Sequence, residues 1–126
     1  MLTLPPSTKV FVSTRPTDMR RSFDGLVGQV RDFLGEDPLS GHLFVFHNRR
    51  GDCVKILWWD RDGLAIFYKR LEQGTFRFGI SDSGKLEMSA QDLQLVLQGI
   101  DPAKVERTKR YTRPVPQRRD DTPVSA

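Results

Sequence analysis

Carboxylates are the most obvious candidates for chemistry in this 126-residue sequence. Asp52, Asp60 and Asp62 form the densest group, and three such side chains can bind Mg²⁺ for phosphodiester hydrolysis. Each of them also falls in a segment typical of a β-turn, where aspartate hydrogen-bonds to nearby backbone. We interpret them as turn residues and keep a metal-dependent nuclease as the alternative that they would support.

The two histidines and the single cysteine do not form a recognisable catalytic group. His42 and His47 are five residues apart, so on an extended strand they point to opposite faces and cannot share a metal ion. Cys53 follows Asp52, whose negative charge disfavours a thiolate nucleophile. We expect no metal, no cofactor and no enzymatic activity.

The run Gly79–Lys85 matches the GxxxxGK pattern of a phosphate-binding loop. Leu86 stands where that loop needs a Mg²⁺-binding serine or threonine, and Asp82 would place negative charge beside the phosphates. We interpret the run as a turn between two strands.

Basic residues alternate with aromatic ones along the middle of the chain. Cations that neutralise phosphates and aromatic rings that stack on bases are the components of a nucleic-acid surface. The competing interpretation places the aromatic rings in the core and pairs each cation with an acidic neighbour. Both interpretations stay open for the body of the protein. The residues that would form a cationic stripe across the sheet are Arg49, Arg50, Lys55, Lys69, Arg70 and Arg77.

The whole positive excess lies in the C-terminal tail. Residues 1–103 carry 13 basic and 13 acidic side chains, whereas residues 104–126 carry seven basic and three acidic ones. The tail is poor in apolar residues and contains three prolines, so we expect it to be disordered when unbound. We predict one domain over 1–103 and a nucleic-acid-binding tail whose contacts are Lys109, Arg110, Arg113, Arg118 and Arg119.

The hydrophobic pattern predicts an α+β fold. Apolar residues three or four apart between Pro16 and Gly35 indicate an amphipathic helix, capped by Thr17 or Asp18 and ended by Gly35. Short β-rich runs follow, LFVFH, CVKILWW, LAIFYKR and TFRF, and a short helix spans Ser89 to Gln98. We predict an antiparallel meander of about five to six strands, packed with one longer N-terminal helix and one short C-terminal helix.

Several runs of residues resemble a known family. They are DMRRSFDGL (18–26), LFVF (43–46), RRGDCVKILWWD (49–60), DGL (62–64) and FYKRLE (67–72). They are similar to the accessory protein encoded by the second reading frame of the IS-sixty-six class of bacterial insertion sequences, the TnpB type. The resemblance covers roughly residues 3–103.

The resemblance implies a role in moving the element, alongside a separately encoded transposase that carries the strand-transfer chemistry. It implies no catalytic residues. We expect the protein to contact element DNA; the alternative is a module that docks on the transposase or another element-encoded protein through Trp59 and Tyr68. Edge strands of a small sheet also favour a homodimer. The sequence has no export signal and no long apolar run, so we expect a cytoplasmic protein with no membrane contact.

Overall fold

The computed structural model describes residues 5–100. Its strands are β1 (Lys9–Ser13), β2 (Leu43–His47), β3 (Cys53–Asp60), β4 (Gly63–Arg70) and β5 (Lys85–Ser89). Helix α1 (Phe23–Gln29) continues as a π-helical segment, Val30–Leu34, and helix α2 is Ala90–Leu97. No helix in this part of the chain is long and apolar enough to cross a lipid bilayer. The predicted disordered tail and its basic residues lie outside the described residues.

The five strands form one mixed sheet in the order β4-β3-β2-β1-β5. β1 and β2 are parallel, with Phe11 opposite Phe44, and the other neighbouring strands are antiparallel. The prediction of a purely antiparallel meander is therefore wrong. A parallel pair needs a long crossover connection, and the segment that contains α1 provides it between β1 and β2.

Apolar side chains cover both faces of the sheet. On one face, Leu26, Val30 and Leu34 of the helical segment pack against the central strands. On the other face, α2 packs through Leu93 and Val96. We call these the α1 face and the α2 face. Two covered faces explain why β3 is apolar on both sides, as its alternating residues fall into two separate clusters.

The helix ends agree in part with the sequence pattern. Neither Thr17 nor Asp18 caps α1, because the helix begins only at Phe23, after Ser22. The amide of Thr17 instead donates to the carbonyl of His47 at 2.8 Å, which ties the segment before α1 to the end of β2. The prediction that Gly35 ends the helical segment is confirmed, since this glycine adopts a left-handed conformation with φ of 66°.

The second helix begins as the sequence predicts. The hydroxyl oxygen of Ser89 accepts a hydrogen bond from the amide of Asp92 at 3.0 Å, which satisfies one of the free amides of the first turn. Gly99, which follows α2, has φ of 84°. This short helix is therefore defined by local signals at both ends.

The predicted strand TFRF (75–78) is an irregular segment that packs on the α2 face. Phe76 and Phe78 are buried there, and the Phe76 amide donates to the carbonyl of Gly51 at 2.8 Å. The alternating apolar pattern correctly indicates that every second residue is buried. The segment lies on the face of the sheet, however, and is not a strand of it. The turn predicted in Gly79–Lys85 is present before β5, but no strand precedes it.

Replacing Phe76 by alanine should destabilise the protein by about 3–5 kcal/mol, because a ring that is 6% exposed leaves a cavity on the α2 face. Ile80→Ala is the matched control, since Ile80 lies two residues after this segment with 93% of its surface exposed, and should change stability by less than about 0.5 kcal/mol. Urea denaturation followed by circular dichroism measures both. Equal effects of the two substitutions would contradict this packing.

Candidate nucleic-acid interface

The carboxyl ends of β1 and β2 lie at the same edge of the sheet because the two strands are parallel. The segment before α1 and the β2–β3 turn therefore meet there, and a groove of about 570 Å³ opens between them. Clefts beyond the carboxyl ends of parallel strands are common binding sites. We call this one the arginine groove; it is lined by Pro16, Thr17, Asp18, Met19, Asn48, Arg49, Arg50, Cys53 and Tyr68.

Asn48 holds the turn that presents the two arginines. Its side-chain oxygen accepts hydrogen bonds from the amides of Gly51 at 2.9 Å and Cys53 at 3.1 Å. Its side-chain nitrogen donates to Asp52 at 2.7 Å. Gly51 has φ of 79°, a conformation that favours glycine. The turn is thus fixed by local hydrogen bonds. The sequence indicates this turn, because an asparagine followed three residues later by a glycine is typical of one.

Two arginines that line the groove and a third on the neighbouring strand keep their charge available to a ligand. Arg49 and Arg50 are exposed at the tip of the turn, and Arg70 is exposed opposite Cys53 on the α1 face. The salt bridges within residues 5–100 are Arg20–Asp18 and Lys85–Glu36, so none of the three forms one in that part of the chain. Exposed guanidinium groups that are not held in a salt bridge are suited to contact phosphate.

The acidic groups beside the groove are held by local hydrogen bonds. Side-chain and backbone hydrogen bonds from Arg20 lower the pKa of Asp18 to about 2. The hydrogen bond from Asn48 lowers the pKa of Asp52, and the nearby charge of Arg50 contributes to this shift. Both groups are carboxylates at neutral pH, and the charge of Asp18 is offset by that of Arg20 at 2.6 Å.

Tyr68 supplies an aromatic ring to the groove. The residue is 53% exposed, so its ring is available for contact. Partial desolvation raises the pKa of Tyr68, with a further contribution from a hydrogen bond with the Cys53 side chain. The phenol is therefore neutral at physiological pH, and the ring can stack on a base without repelling a phosphate.

Lys55 does not lie on an open cationic stripe. It is 8% exposed, and its ammonium donates to the backbone carbonyl of Arg21 at 2.7 Å. The same ammonium lies 4.8 Å from the centre of the Tyr68 ring. Lys55 thus positions both the segment before α1 and the ring of Tyr68. The residues adjacent to Lys55 in the sequence do not predict this role.

Lys69 and Arg77 lie away from the arginine groove. Lys69 alternates with Tyr68 and Arg70 along β4, so it points to the α2 face. There it lines a second groove of about 480 Å³ with Arg77 and the end of α2, including Leu97 and Gly99. Cations near a helix C-terminus complement its dipole. The predicted stripe is therefore divided between the two faces of the sheet.

The two residues predicted to bind a protein partner are also apart. Trp59 pairs with Leu64, and Tyr68 pairs with Lys55, so both lie on the α1 face but about 13 Å apart along the strands. Trp59 is half-buried, whereas Tyr68 is exposed. Leu64 and Ile66, both half-buried, lie between them on the same face.

The three carboxylates that cluster in the sequence do not meet in the fold. Asp52 precedes β3, whereas Asp60 ends it and Asp62 lies in the next turn, about 26 Å away along the strand. Within residues 5–100, no group of three or more histidine, cysteine or acidic side chains is arranged to hold a metal ion.

Comparison with known proteins identifies the family. A family model described as IS66 Orf2 like protein matches residues 8–107. The chain belongs to the IS66 Orf2-like family. The resemblance drawn from the sequence is thereby confirmed, and the protein is an insertion-sequence-associated accessory protein.

Relatives of this IS66 Orf2-like protein occur in Sinorhizobium fredii. The uncharacterized protein y4hO is 36% identical over 113 residues, which cover 90% of this chain and 98% of the relative. The uncharacterized protein y4jC is 38% identical over 99 residues, which cover 79% of this chain and 85% of the relative. No solved structure matches the chain significantly.

Replacing Lys55 by methionine should lower the free energy of unfolding by about 2 kcal/mol, because the carbonyl of Arg21 loses a charged donor whose own side chain is buried. Lys69→Met removes the same charge from an exposed position on the neighbouring strand and should change stability by less than about 0.5 kcal/mol. Urea titrations of both variants give the difference. A stable Lys55→Met variant would show that this hydrogen bond does not hold the segment before α1.

Proposed function

We propose that this IS66 Orf2-like protein is a non-catalytic accessory factor of transposition that holds element DNA in the arginine groove. The observation that carries the proposal is the exposed Arg49–Arg50 turn, which lies beside Tyr68 and has no salt bridge within residues 5–100. Membership of the family provides the context of a mobile element. Phosphate contacts would supply most of the affinity, since the site offers guanidinium groups and few base-reading amides.

The geometry favours backbone contact with an aromatic supplement. Arg49 and Arg50 stand at the tip of a turn that Asn48 fixes, so they can reach phosphates without ordering a loop first. Tyr68 can stack on a base of a single strand or lie against a sugar. Arg70 extends the positive surface along β4.

Other basic residues belong to the proposal in a secondary role. Lys69 and Arg77 face the opposite side of the sheet and could touch only a strand that passes around the edge. The tail cations lie outside the described residues, and we propose that they add unspecific phosphate contacts because the positive excess of the chain is concentrated there. The body groove and the tail would then act on the same nucleic acid.

The double substitution Arg49→Gln/Arg50→Gln in the full chain should weaken DNA binding and reduce its salt dependence. For duplex DNA, the slope of log K against log salt should become shallower by about 0.9 for every phosphate that the variant no longer neutralises. Fluorescence anisotropy with a duplex and a single strand of equal length, at several salt concentrations, measures the change. The comparison of the two probes shows which form the groove prefers.

The matched control is Arg31→Gln/Arg61→Asn, which removes two exposed positive charges that do not line the groove. Asparagine suits position 61 because Arg61 has φ of 59°. This control should keep the wild-type slope. Equal slopes for both double variants would mean that the groove does not hold DNA, and absence of salt-dependent binding by the wild type would remove the proposal altogether.

Docking on the transposase is the second candidate, favoured by the exposure of Tyr68 at 53%. A Tyr68→Ala variant that keeps DNA affinity but no longer co-purifies with the transposase would support it. Retained co-purification together with weakened binding to single-stranded DNA would assign the ring to nucleic acid instead.

A further inference from the structure

β4 forms an open edge of the sheet. Within residues 5–100 it pairs with β3 alone, in a continuous register from Cys53 opposite Arg70 to Asp60 opposite Gly63. The register contains no bulge. One side of this eight-residue strand therefore presents unpaired backbone groups.

The hydrogen bonds show which residues present those groups. The amide of Leu71 donates to the carbonyl of Asp52 at 2.8 Å, in continuation of the β3–β4 register. Backbone groups of successive residues alternate in direction along a strand, so the odd-numbered residues of β4 face β3. The even-numbered residues face outward; they are Leu64, Ile66, Tyr68 and Arg70.

This edge lacks the usual protection against pairing. Leu64 to Tyr68 is a run of apolar and aromatic residues with no proline and no charge. The opposite edge strand, β5, is shorter and carries Lys85 and Glu87. Natural sheets normally blunt a long edge with charges, prolines or bulges. The run Leu64–Tyr68 omits all of them, so this part of the edge is suited to pairing with another strand.

We propose that a second copy of this chain pairs with β4, antiparallel and centred on Ile66, to give a continuous sheet through the dimer. The charges of the strand favour this occupant. β4 ends in Lys69 and Arg70, and the turn before it carries Asp62. Antiparallel pairing places the basic end of each copy beside the acidic end of the other, whereas parallel pairing would bring like charges together.

The register follows from the same charges. With Ile66 opposite its own copy, Arg70 of each chain lies opposite Asp62 of the other. A shift of the centre to Phe67 would place Arg70 opposite Leu64 and Asp62 opposite Glu72, which is a pair of like charges. In the register centred on Ile66, the outward backbone groups of Leu64, Ile66 and Tyr68 form about six hydrogen bonds between the copies.

The pairing also covers apolar surface that the monomer leaves half-exposed. Leu64 and Ile66 extend the α1-face cluster, and Phe67 extends the α2-face cluster, without being fully buried. The two-fold axis is perpendicular to the sheet, so the α1 faces of both copies are on the same side. The dimer would thus present two arginine grooves to one side.

Sedimentation equilibrium of the nuclease-treated full chain over a dilution series tests the proposal. The wild type should dimerise, and Arg70→Glu should raise the dimer dissociation constant about tenfold, because two cross-strand pairs become repulsive. Asp62→Arg should have the same effect. The combined Arg70→Glu/Asp62→Arg variant should recover most of the dimer affinity. Loss of charge or misfolding would not produce this recovery.

Two results would overturn the proposal: a wild-type chain that is monomeric throughout its soluble range, or a dimer that none of the charge reversals affects. Ile66→Cys provides a second test, because paired residues at the axis lie about 5.5 Å apart, within reach of a disulfide. Mild oxidation should crosslink this variant as a dimer and leave Leu39→Cys, in an exposed loop position, uncrosslinked. Equal crosslinking of both variants would count against the register.

Discussion

The parallel pairing of β1 with β2 is the constraint on which the rest of the molecule depends. Parallel neighbours need a crossover, and the segment with α1 makes it across one face of the sheet. The carboxyl ends of the two strands then share an edge, where the Thr17 amide donates to the His47 carbonyl. The arginine groove exists because two loops that are distant in sequence are fastened together at that edge.

The groove combines exposed charge with fixed backbone. Asn48 holds the β2–β3 turn, and Lys55 holds the segment before α1 from inside the protein. Arg49 and Arg50 are therefore exposed side chains on an ordered base, an arrangement that limits the entropy cost of binding a phosphate. The buried lysine also shows how a cation can serve the site without reaching solvent.

Local signals in the sequence predict the elements well. Ser89 and Gly35 define helix ends, and the alternation in β3 separates the residues of its two faces. Non-local features could not be predicted in the same way. The parallel pairing depends on where a crossover returns, and the burial of Lys55 depends on the carbonyl of Arg21, 34 residues away. The burial pattern of residues 75–78 fits a strand within the sheet as well as it fits an irregular segment packed on the face of the sheet.

Amide chemical shifts measured by NMR while a short DNA duplex is added to the wild-type chain test most directly whether the arginine groove holds DNA. We expect the largest changes in residues 17–19, 48–50 and 68–70, which surround the groove. Changes confined to the opposite end of the sheet, at residues 40–42 and 60–63, would contradict DNA binding in the groove, as would spectra that DNA leaves unchanged.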